Sequence, residues 1–230
     1  MVQFKLLPIV ASLAALLPFG SVASPVMGPE RAPETDSALE ARQGGYYFQN
    51  WSEGGSNIRC NNGGGGSFSA NWNSKGGFVC GKGWQGNGVR TIRYSGNYNA
   101  TGPGYLAVYG WTRNPLIEYY ILDSYSELAP NEPWTSKGNF TAGDEGTFEI
   151  FQSTRVNQPS IDGTRTFQQY WSVRTEKRVG GTITTKKHFD EWAKHGMRLG
   201  GHVYIVMAVE GYTNSKTKQG SSGSASITLQ

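Results

Sequence analysis

Two glutamates stand within apolar and aromatic segments of this 230-residue sequence. Glu118 lies in residues 114–120 (NPLIEYY), and Glu210 lies in residues 204–212 (YIVMAVEGY). A carboxylate among such side chains is costly to desolvate, so it either meets solvent at a strand end or is kept there by a function. One such glutamate alone is more often an edge or cross-strand charge than a catalytic group. Two of them, each flanked by tyrosines, favour catalysis.

A pair of carboxyl groups beside aromatic rings is suited to the hydrolysis of glycosidic bonds. The rings stack on sugar faces, while one carboxyl group donates a proton and the other attacks or activates water. Alternation along a strand places Glu210 on the same face as Tyr204 and Tyr212, and Glu118 on the same face as Tyr120. If these faces line the concave side of a curved sheet, both glutamates project into an aromatic cleft. The separation of the carboxyl groups stays open; about 5–5.5 Å indicates retention and about 6.5–9.5 Å inversion.

Motifs for other chemistries are absent from the sequence. There is no Gly-x-Ser-x-Gly, no Walker loop and no His-Glu-x-x-His. Residues 81–86 spell Gly-x-Gly-x-x-Gly, but a strand pattern follows them where a dinucleotide site needs a helix. His188, His195 and His202 are seven residues apart, which is neither an i,i+4 pair nor a zinc pattern with cysteines. We therefore expect no metal and no cofactor.

The composition indicates which elements position these glutamates. The chain has 32 glycines, 13% aromatic and 17% charged residues, which excludes intrinsic disorder. Glycine is costly inside helices, whereas aromatic and β-branched residues suit pleated surfaces, so an all-β domain is expected. The net charge of +4 is spread along the chain, and no basic run is interleaved with aromatics, so we expect no nucleic-acid partner.

The N-terminal 42 residues differ from the rest. Residues 1–23 combine Lys5, an apolar run and small residues at 21–23, which predicts a signal peptide. Residues 24–42 hold three prolines and four acids, have no hydrophobic period and end at Arg42, which predicts a processed pro-segment. Residues 43–230 are then a single secreted, extracellular domain, and no other apolar stretch is long enough to cross a membrane.

Strand patterns occupy most of that domain. Turn residues separate several segments with period-two alternation, which is typical of a β-sandwich or jelly roll. Residues 184–197 are the exception: Phe189, Trp192, Ala193 and Met197 have helical spacing behind a threonine N-cap, which predicts one helix outside a sheet. The alternating segments are residues 46–51, 67–72, 91–98, 105–111, 118–122, 147–154, 166–174, 203–212 and 225–229.

Two kinds of covalent modification are expected of an exported chain. Cys60 and Cys80, the only cysteines, are expected to form a disulfide; the alternative is two buried free thiols. Sequons start at Asn50, Asn99 and Asn139. Asn99, beside the turn at 102–104, is the best candidate for glycosylation and Asn139 the next, whereas Asn50 precedes an aromatic residue proposed below for the cleft.

Six blocks of sequence resemble the endo-β-1,4-xylanases of glycoside hydrolase family 11, particularly the secreted fungal members. The resemblance covers essentially all of residues 43–230, and several blocks in family order are far more specific than one motif. The blocks are GKGW (81–84), YLAVYGW (105–111), RNPLIEYY (113–120), RVNQPSI (155–161), QYWSVR (169–174) and AVEGY (208–212).

The resemblance implies a concanavalin-like two-sheet jelly roll shaped like a right hand, with a long cleft and one external helix. It implies that Glu118 is the nucleophile and Glu210 the acid/base in a retaining double displacement on plant cell-wall xylan. These roles require an ionised Glu118 and a protonated Glu210. It also implies a monomer whose partners are xylan and proteinaceous xylanase inhibitors.

The substrate-binding residues implied by the same resemblance lie in several blocks. From the pattern alone, tyrosines here could fill a core, and Arg155 could pair structurally with a strand acid. The resemblance assigns Tyr109 and Tyr120 to the nucleophile's surroundings, Arg155 and Gln169 to the cleft, Tyr204 to the sugar path, Trp51 to a stacking platform, and Pro159, Ser160 and Ile161 to the tip of a closing thumb.

The sequence departs from the family pattern at two places. Gly77 stands where the family usually carries Asn or Asp beside the acid/base, so burial and the charge of Glu118 are left to raise the pKa of Glu210. Many relatives lack the cysteine pair, and Cys60 and Cys80 are expected on neighbouring strands of one sheet.

Two functions of other classes compete with an enzyme that cuts xylan. One is a non-catalytic jelly roll that binds xylan or another glycan, and the other is a secreted protein sensed by a host or bound by an inhibitor. A non-catalytic lectin has no need of both glutamates, so their joint presence favours catalysis. The host-sensed function is compatible with catalysis.

Overall fold

The computed structural model describes residues 45–128 and 130–230. The predicted signal peptide and pro-segment lie outside the described residues. The strands are β1 Tyr47–Ser52, β2 Ile58–Asn62, β3 Ser67–Ser74, β4 Phe78–Gln85, β5 Thr91–Thr101, β6 Gly104–Arg113, β7 Ile117–Glu127, β8 Thr135–Thr141, β9 Thr147–Ser160, β10 Gly163–Arg174, β11 Gly181–Thr184, β12 Gly201–Gly211 and β13 Ser221–Leu229; the helix α1 is Thr185–Lys194, and a 3₁₀ turn spans Gly143–Glu145.

The strands form two sheets that enclose a core, which confirms the predicted all-β jelly roll. The eight-stranded sheet has the order β1-β4-β12-β6-β7-β10-β9-β8, and the five-stranded sheet has the order β11-β5-β13-β3-β2. Strands β7 and β10 run parallel. The other paired strands are antiparallel.

Apolar side chains pack on both faces of the eight-stranded sheet. Between the sheets, Phe68 and Ile227 of the smaller sheet belong to one cluster with Leu106, Ile121 and Met207 of the larger sheet. The other face of the larger sheet carries a second, mainly aromatic cluster. Because β6 and β7 are covered on both faces, their sequences are nearly continuous apolar and aromatic runs.

All nine segments with alternating patterns coincide with strands. Strands β2, β4, β8 and β11 have no counterpart among these alternating segments. In β4, a Cβ at Gly83 would lie 2.1 Å from the carbonyl oxygen of Ile205, and one at Gly81 would lie 2.7 Å from the Ala208 Cβ. Close contact with β12 therefore requires glycines that obscure the strand pattern. Strand β8 (TSKGNFT) is a largely exposed edge strand, so it lacks an apolar face.

Helix α1 forms within the predicted segment 184–197 but ends at Lys194, before Met197, and one of the residues with helical spacing does not face the core. Thr184 is the N-cap residue, and Trp192 and Met197 are buried. Ala193 is exposed, and His188 is buried in its place. The His188 ring packs edge-on against Phe148 and Phe140, and burial lowers its pKa to about 3, so the helix presents a neutral imidazole to the core. No helix in the described ranges is long and apolar enough to span a membrane.

The predicted disulfide is present, but the predicted placement of its cysteines is wrong. Cys60 and Cys80 are bonded, with their Cα atoms 5.8 Å apart. Cys60 lies on β2 of the five-stranded sheet, whereas Cys80 lies on β4 of the eight-stranded sheet. The Cys80 side chain is buried in the core between the sheets, so its partner comes from the opposing sheet. The bond therefore joins the two layers of the sandwich.

Candidate active site

A cleft lies over the aromatic face of the eight-stranded sheet. Glu118 projects into it from β7 and Glu210 from β12, and β6 lies between these two strands. Strand β6 contributes residues of the same alternating phase to the cleft, because successive side chains point to opposite faces. The aromatic side chains that line the cleft are Trp51, Tyr105, Tyr109, Trp111, Tyr120, Trp134, Phe167, Trp171, Tyr204 and Tyr212.

Both oxygens of the Glu118 carboxylate accept hydrogen bonds. The Tyr109 hydroxyl donates to Oε1 at 2.9 Å, and Gln169 Nε2 donates to Oε2 at 2.7 Å. Gln169 lies directly beside Glu118 in the parallel β10–β7 pair. Its amide orientation is fixed because Ser153 Oγ donates to Gln169 Oε1 at 2.9 Å and accepts a bond from Trp171 Nε1. Glu118 is therefore held in one orientation by donors.

These donors favour the ionised form of Glu118. Burial raises its pKa above the ordinary value of 4.5, and the hydrogen bonds from Gln169 and Tyr109 together with the charge of Arg155 oppose that rise. Burial also raises the pKa of Tyr109 well above 10, so its hydroxyl keeps the proton that it donates. The surroundings of Glu118 thus support a carboxylate within a desolvated cleft.

Glu210 has the opposite environment. Burial is the largest cause that raises its pKa from 4.5 to about 8, and the negative charge of Glu118 is the second. A hydrogen bond with Tyr120 and the positive charge of Arg155 lower the pKa by smaller amounts. Part of the residue is accessible from the cleft. Its Oε2 atom, however, is inaccessible and accepts no hydrogen bond from any residue of 45–128 or 130–230. An ionised carboxylate with such an oxygen is unfavourable, so Glu210 holds a proton at neutral pH.

Packed rings support both glutamates. The rings of Tyr120 and Trp171 are stacked, with centroids 4.0 Å apart and planes at 5°. The Tyr109 ring contacts Tyr120 at 5.0 Å and Tyr204 at 6.0 Å. The Trp111 indole N–H donates to the Tyr109 hydroxyl at 2.5 Å. Because each ring is fixed by another, the floor of the cleft is pre-organised.

Arg155 supplies the positive charge at this site. Its Nη1 donates to Glu132 Oε2 at 2.5 Å, and its Nη2 donates to Gln158 Oε1 at 3.1 Å. Its acidic partner lies on the loop between β7 and β8, so the alternative of pairing with a strand acid is wrong. The charge of Arg155 lowers the pKa of Glu118 and of Glu210.

Comparisons with known proteins agree with this geometry. The sequence profile of glycosyl hydrolases family 11 matches residues 43–228. The chain belongs to this family. An endo-1,4-β-xylanase I of Cochliobolus carbonum is 49% identical over 211 residues, which cover 88% of this chain and 92% of that protein. An ethylene-inducing xylanase 1 of Verticillium dahliae is 46% identical over 228 residues, which cover 95% of this chain and 99% of that protein.

A solved structure gives the same result for the fold. The structure of an endo-1,4-β-xylanase of Trichoderma reesei is 41% identical in sequence, with a TM-score of 0.71. The match covers 80% of this chain and 97% of that chain. The fold and the family assignment of this family 11 chain therefore rest on sequence and on structure.

All the site residues expected from the sequence line one cleft in this family 11 chain. Trp51, which is expected to be a stacking platform, lies on β1 and is 41% exposed. The residues expected at the tip of a thumb lie in the β9–β10 hairpin, where Ser160 Oγ donates to the Gly163 carbonyl oxygen at 2.6 Å. The cleft-lining residues that were expected are Trp51, Tyr109, Glu118, Tyr120, Arg155, Pro159, Ser160, Ile161, Gln169, Tyr204 and Glu210.

Two acidic residues of the cleft are absent from the expectations. Glu132 pairs with Arg155, and Glu53 accepts a hydrogen bond from the backbone N–H of Gly77. A Cβ at Gly77 would lie 3.1 Å from Glu53 Oε1, so the carboxylate of Glu53 lies beside the position where the family usually has an amide or acid side chain. Both acids lie in non-periodic segments, and their positions depend on contacts between residues distant in sequence.

Two expectations concern features away from the cleft. Asn99 on β5 and Asn139 on β8 are both exposed, and their glycosylation stays a prediction. Within the described part of the chain, no group of three His, Cys, Asp or Glu side chains is arranged to hold a metal ion.

Proposed function

We propose that this chain hydrolyses internal β-1,4-xylosidic bonds of xylan with retention of anomeric configuration. The observation that carries the proposal is the contrast between two buried glutamates in one aromatic cleft. Glu118 accepts two hydrogen bonds, whereas Glu210 has a pKa of about 8 and a buried oxygen without a donor among the described residues. Family membership and relatives named endo-1,4-β-xylanases support xylan as the substrate.

In the first step, the Glu118 carboxylate attacks the anomeric carbon while Glu210 donates its proton to the departing glycosidic oxygen. A carbon–oxygen bond to Glu118 forms, and the glycosidic bond breaks. The products are a glycosyl ester on Glu118, a sugar chain with a new hydroxyl group, and an ionised Glu210. This step requires a protonated Glu210, whose pKa is about 8, and an ionised Glu118, whose hydrogen-bond donors and Arg155 oppose the rise in pKa that burial causes.

In the second step, Glu210 acts as a base. Esterification removes the negative charge of Glu118, which is the second-largest cause of the raised pKa of Glu210. The pKa of Glu210 therefore falls, and its carboxylate persists until it takes a proton from water. The water oxygen attacks the anomeric carbon and releases the Glu118 carboxylate, which restores the starting protonation states.

The other cleft residues are proposed to hold the nucleophile or the substrate. Tyr109 and Gln169 orient Glu118 through the bonds described above. Exposed Trp51 offers a ring for stacking against a xylose unit. Position in the cleft supports a role in xylan binding for Tyr120, Arg155, Tyr204 and the thumb residues Pro159, Ser160 and Ile161.

We further propose that the protein is secreted and acts on plant cell-wall xylan. The predicted signal peptide and the disulfide between the two sheets support export to an oxidising compartment. The monomeric state and the binding of proteinaceous inhibitors stay predictions.

The decisive experiment compares the protein from Gln43 onward with its Glu118→Gln and Glu210→Gln variants on xylan and on cellulose. The expected result is release of reducing sugar from xylan only, abolished by either substitution. Unchanged activity of the Glu118→Gln variant would remove the mechanism, and equal activity on cellulose would remove the substrate assignment.

A second function is favoured by one relative. The protein of Verticillium dahliae is named an ethylene-inducing xylanase and is similar over nearly the full length of both chains. We propose that this chain also elicits a host response through its folded surface. Folded, inactive Glu118→Gln protein should still raise ethylene release from leaf tissue; loss of the response together with catalysis would assign it to released sugars instead.

A further inference from the structure

The loop between β7 and β8 forms one wall of the cleft. Its residues Pro130, Asn131, Glu132 and Trp134 line the same cavity as Glu118 and Glu210. The Trp134 ring packs against Trp171, with centroids 4.8 Å apart. Trp171 also stacks on Tyr120. The loop is therefore joined to the aromatic floor that supports the two glutamates.

A second attachment fixes this loop to the segment that follows β12. Asn131 Nδ2 donates to the carbonyl oxygen of Thr213 at 3.1 Å, and the Ser215 backbone N–H donates to Asn131 Oδ1 at 2.7 Å. Strand β12 carries Glu210. Glu132, next to Asn131, is thus held by contacts on both sides of the cleft.

Glu132 and Arg155 form an ion pair that is largely withdrawn from solvent. The nitrogen–oxygen distance is 2.5 Å, and the two side chains are only 24% and 23% exposed. A charge-assisted bond of this kind is stronger than a pair on an open surface. Gln158, which also lies on β9, accepts a second hydrogen bond from the guanidinium.

The charge of Arg155 acts on both glutamates of the proposed mechanism. It lowers the pKa of Glu118 and the pKa of Glu210, and the charges of Glu132 and Glu118 raise its own. The titratable groups that face these charges are Tyr98 of β5, Tyr105 and Tyr109 of β6, Glu118 and Tyr120 of β7, Glu132 of the loop, Arg155 of β9, and Tyr204 and Glu210 of β12.

We propose that Glu132 is a positioning residue of the reaction, whose carboxylate holds the Arg155 guanidinium beside Glu118 and Glu210 and offsets part of its positive charge. This inference rests on the proposed function, because it concerns the same two glutamates. No contact with the reacting atoms is assigned to Glu132. Its effect on catalysis passes through Arg155.

Two substitutions separate the charge of Glu132 from its role as an acceptor. Glu132→Gln keeps an oxygen for Arg155 but removes the negative charge, so Glu118 and Glu210 experience a more positive surrounding. Both limbs of the pH profile of kcat/KM are expected to move to lower pH by about half a unit. Glu132→Ala also removes the acceptor and is expected to reduce kcat about tenfold below that of Glu132→Gln, with little change in KM.

Glu149→Gln is the matched control. Glu149 is an exposed acid on β9, the strand of Arg155, and its substitution makes the same change in net charge. Its profile should overlay that of the parent, and thermal unfolding should verify that all variants are folded. Overlay of the Glu132→Gln profile with the parent, or a shift to higher pH, would overturn the proposed charge effect. Equal kcat for the Ala and Gln variants would overturn the positioning role.

A titration that needs no turnover distinguishes this inference from the proposed function. If the parent protein releases no sugar from xylan, the proposed function fails. A carbon-13 titration of the Glu210 carboxyl group in the parent and in Glu132→Gln still measures the effect of the Glu132 charge on the pKa of Glu210. A pKa that is about half a unit lower in the variant supports this effect, and identical titration curves refute it.

Discussion

Removal of the Glu118 charge should lower the pKa of Glu210. The Glu118→Gln substitution keeps the shape of the side chain and one acceptor oxygen, but it replaces the other oxygen with an amide donor and removes the negative charge. That charge is the second cause of the raised pKa of Glu210, after burial. Because the larger cause persists, the pKa should fall from about 8 without returning to the ordinary value of 4.5.

The magnitude of this fall can be worked out from Coulomb's law. A retaining mechanism places the two carboxyl groups about 5–5.5 Å apart. At an effective dielectric constant of about 20–40, a unit charge at that distance contributes about 1.5–3 kcal/mol. One pKa unit corresponds to about 1.4 kcal/mol, so the expected fall is about one to two units.

The assay is a carbon-13 NMR titration of protein labelled at glutamate carboxyl carbons, with Glu210→Gln used to assign the resonance. Glu149→Gln serves as the control for net charge, and its Glu210 curve should match that of the parent. An unchanged pKa of Glu210 in the Glu118→Gln variant would refute the coupling. A fall to about 4.5 would refute burial as the larger cause.

Three further predictions concern the hydrogen-bonding environment of Glu210, its burial and the disulfide. Gly77→Asn adds a side chain to the cleft beside Glu53. If its amide donates a hydrogen bond to Glu210, the pKa of Glu210 falls and the basic limb of the pH–rate profile should move to lower pH. A profile that overlays that of the parent would exclude this hydrogen bond. Between pH 4.5 and about 8 the folded protein binds a proton at Glu210 that the unfolded chain does not, so stability falls as pH rises. Glu210→Gln should therefore gain melting temperature over the parent as pH rises from 4.5 to 8; a constant difference would contradict the raised pKa. Replacing Cys60 and Cys80 together by Ser should lower the free energy of unfolding by about 3 kcal/mol, given their sequence separation of 20 residues. Calorimetry should then show a melting temperature about 6–12 °C lower. An unchanged melting temperature would show that the disulfide does not stabilise the fold.

The strands that carry the glutamates could be predicted from the sequence because burial leaves a periodic signal. Tyr204 and Glu210 share a phase on β12, Tyr212 continues that phase just after the strand, and the structure places all three at the cleft. The phase alone does not distinguish an aromatic cleft from a core. The family blocks around Glu118 and Glu210 supplied that distinction.

Other elements left no such signal. Strand β4 needs glycine at 81 and 83 because β12 approaches closely. These glycines interrupt the alternating pattern by which a strand is predicted from sequence. His188 occupies a core position although histidine is usually counted as polar, since two phenylalanine rings surround a neutral imidazole. Local pattern therefore favoured Ala193 for that face of the helix.

The disulfide and the acids of the cleft depend on contacts between distant segments. Cys60 and Cys80 bridge two sheets, and no spacing in the sequence distinguishes that from pairing within one sheet. Glu132 meets Arg155 only because the loop before β8 folds over β9. Contacts of this kind can be predicted only once the strand order is known.

The proposed mechanism requires Glu118 to form a covalent bond with the sugar. This bond can be trapped with a 2-fluoro-substituted xylobioside that has a good leaving group, and detected by mass spectrometry of the intact protein and its peptides. One adduct per chain is expected, located on Glu118, and none on the Glu118→Gln variant. An adduct on another carboxylate, or no adduct together with a product of inverted anomeric configuration, would contradict it.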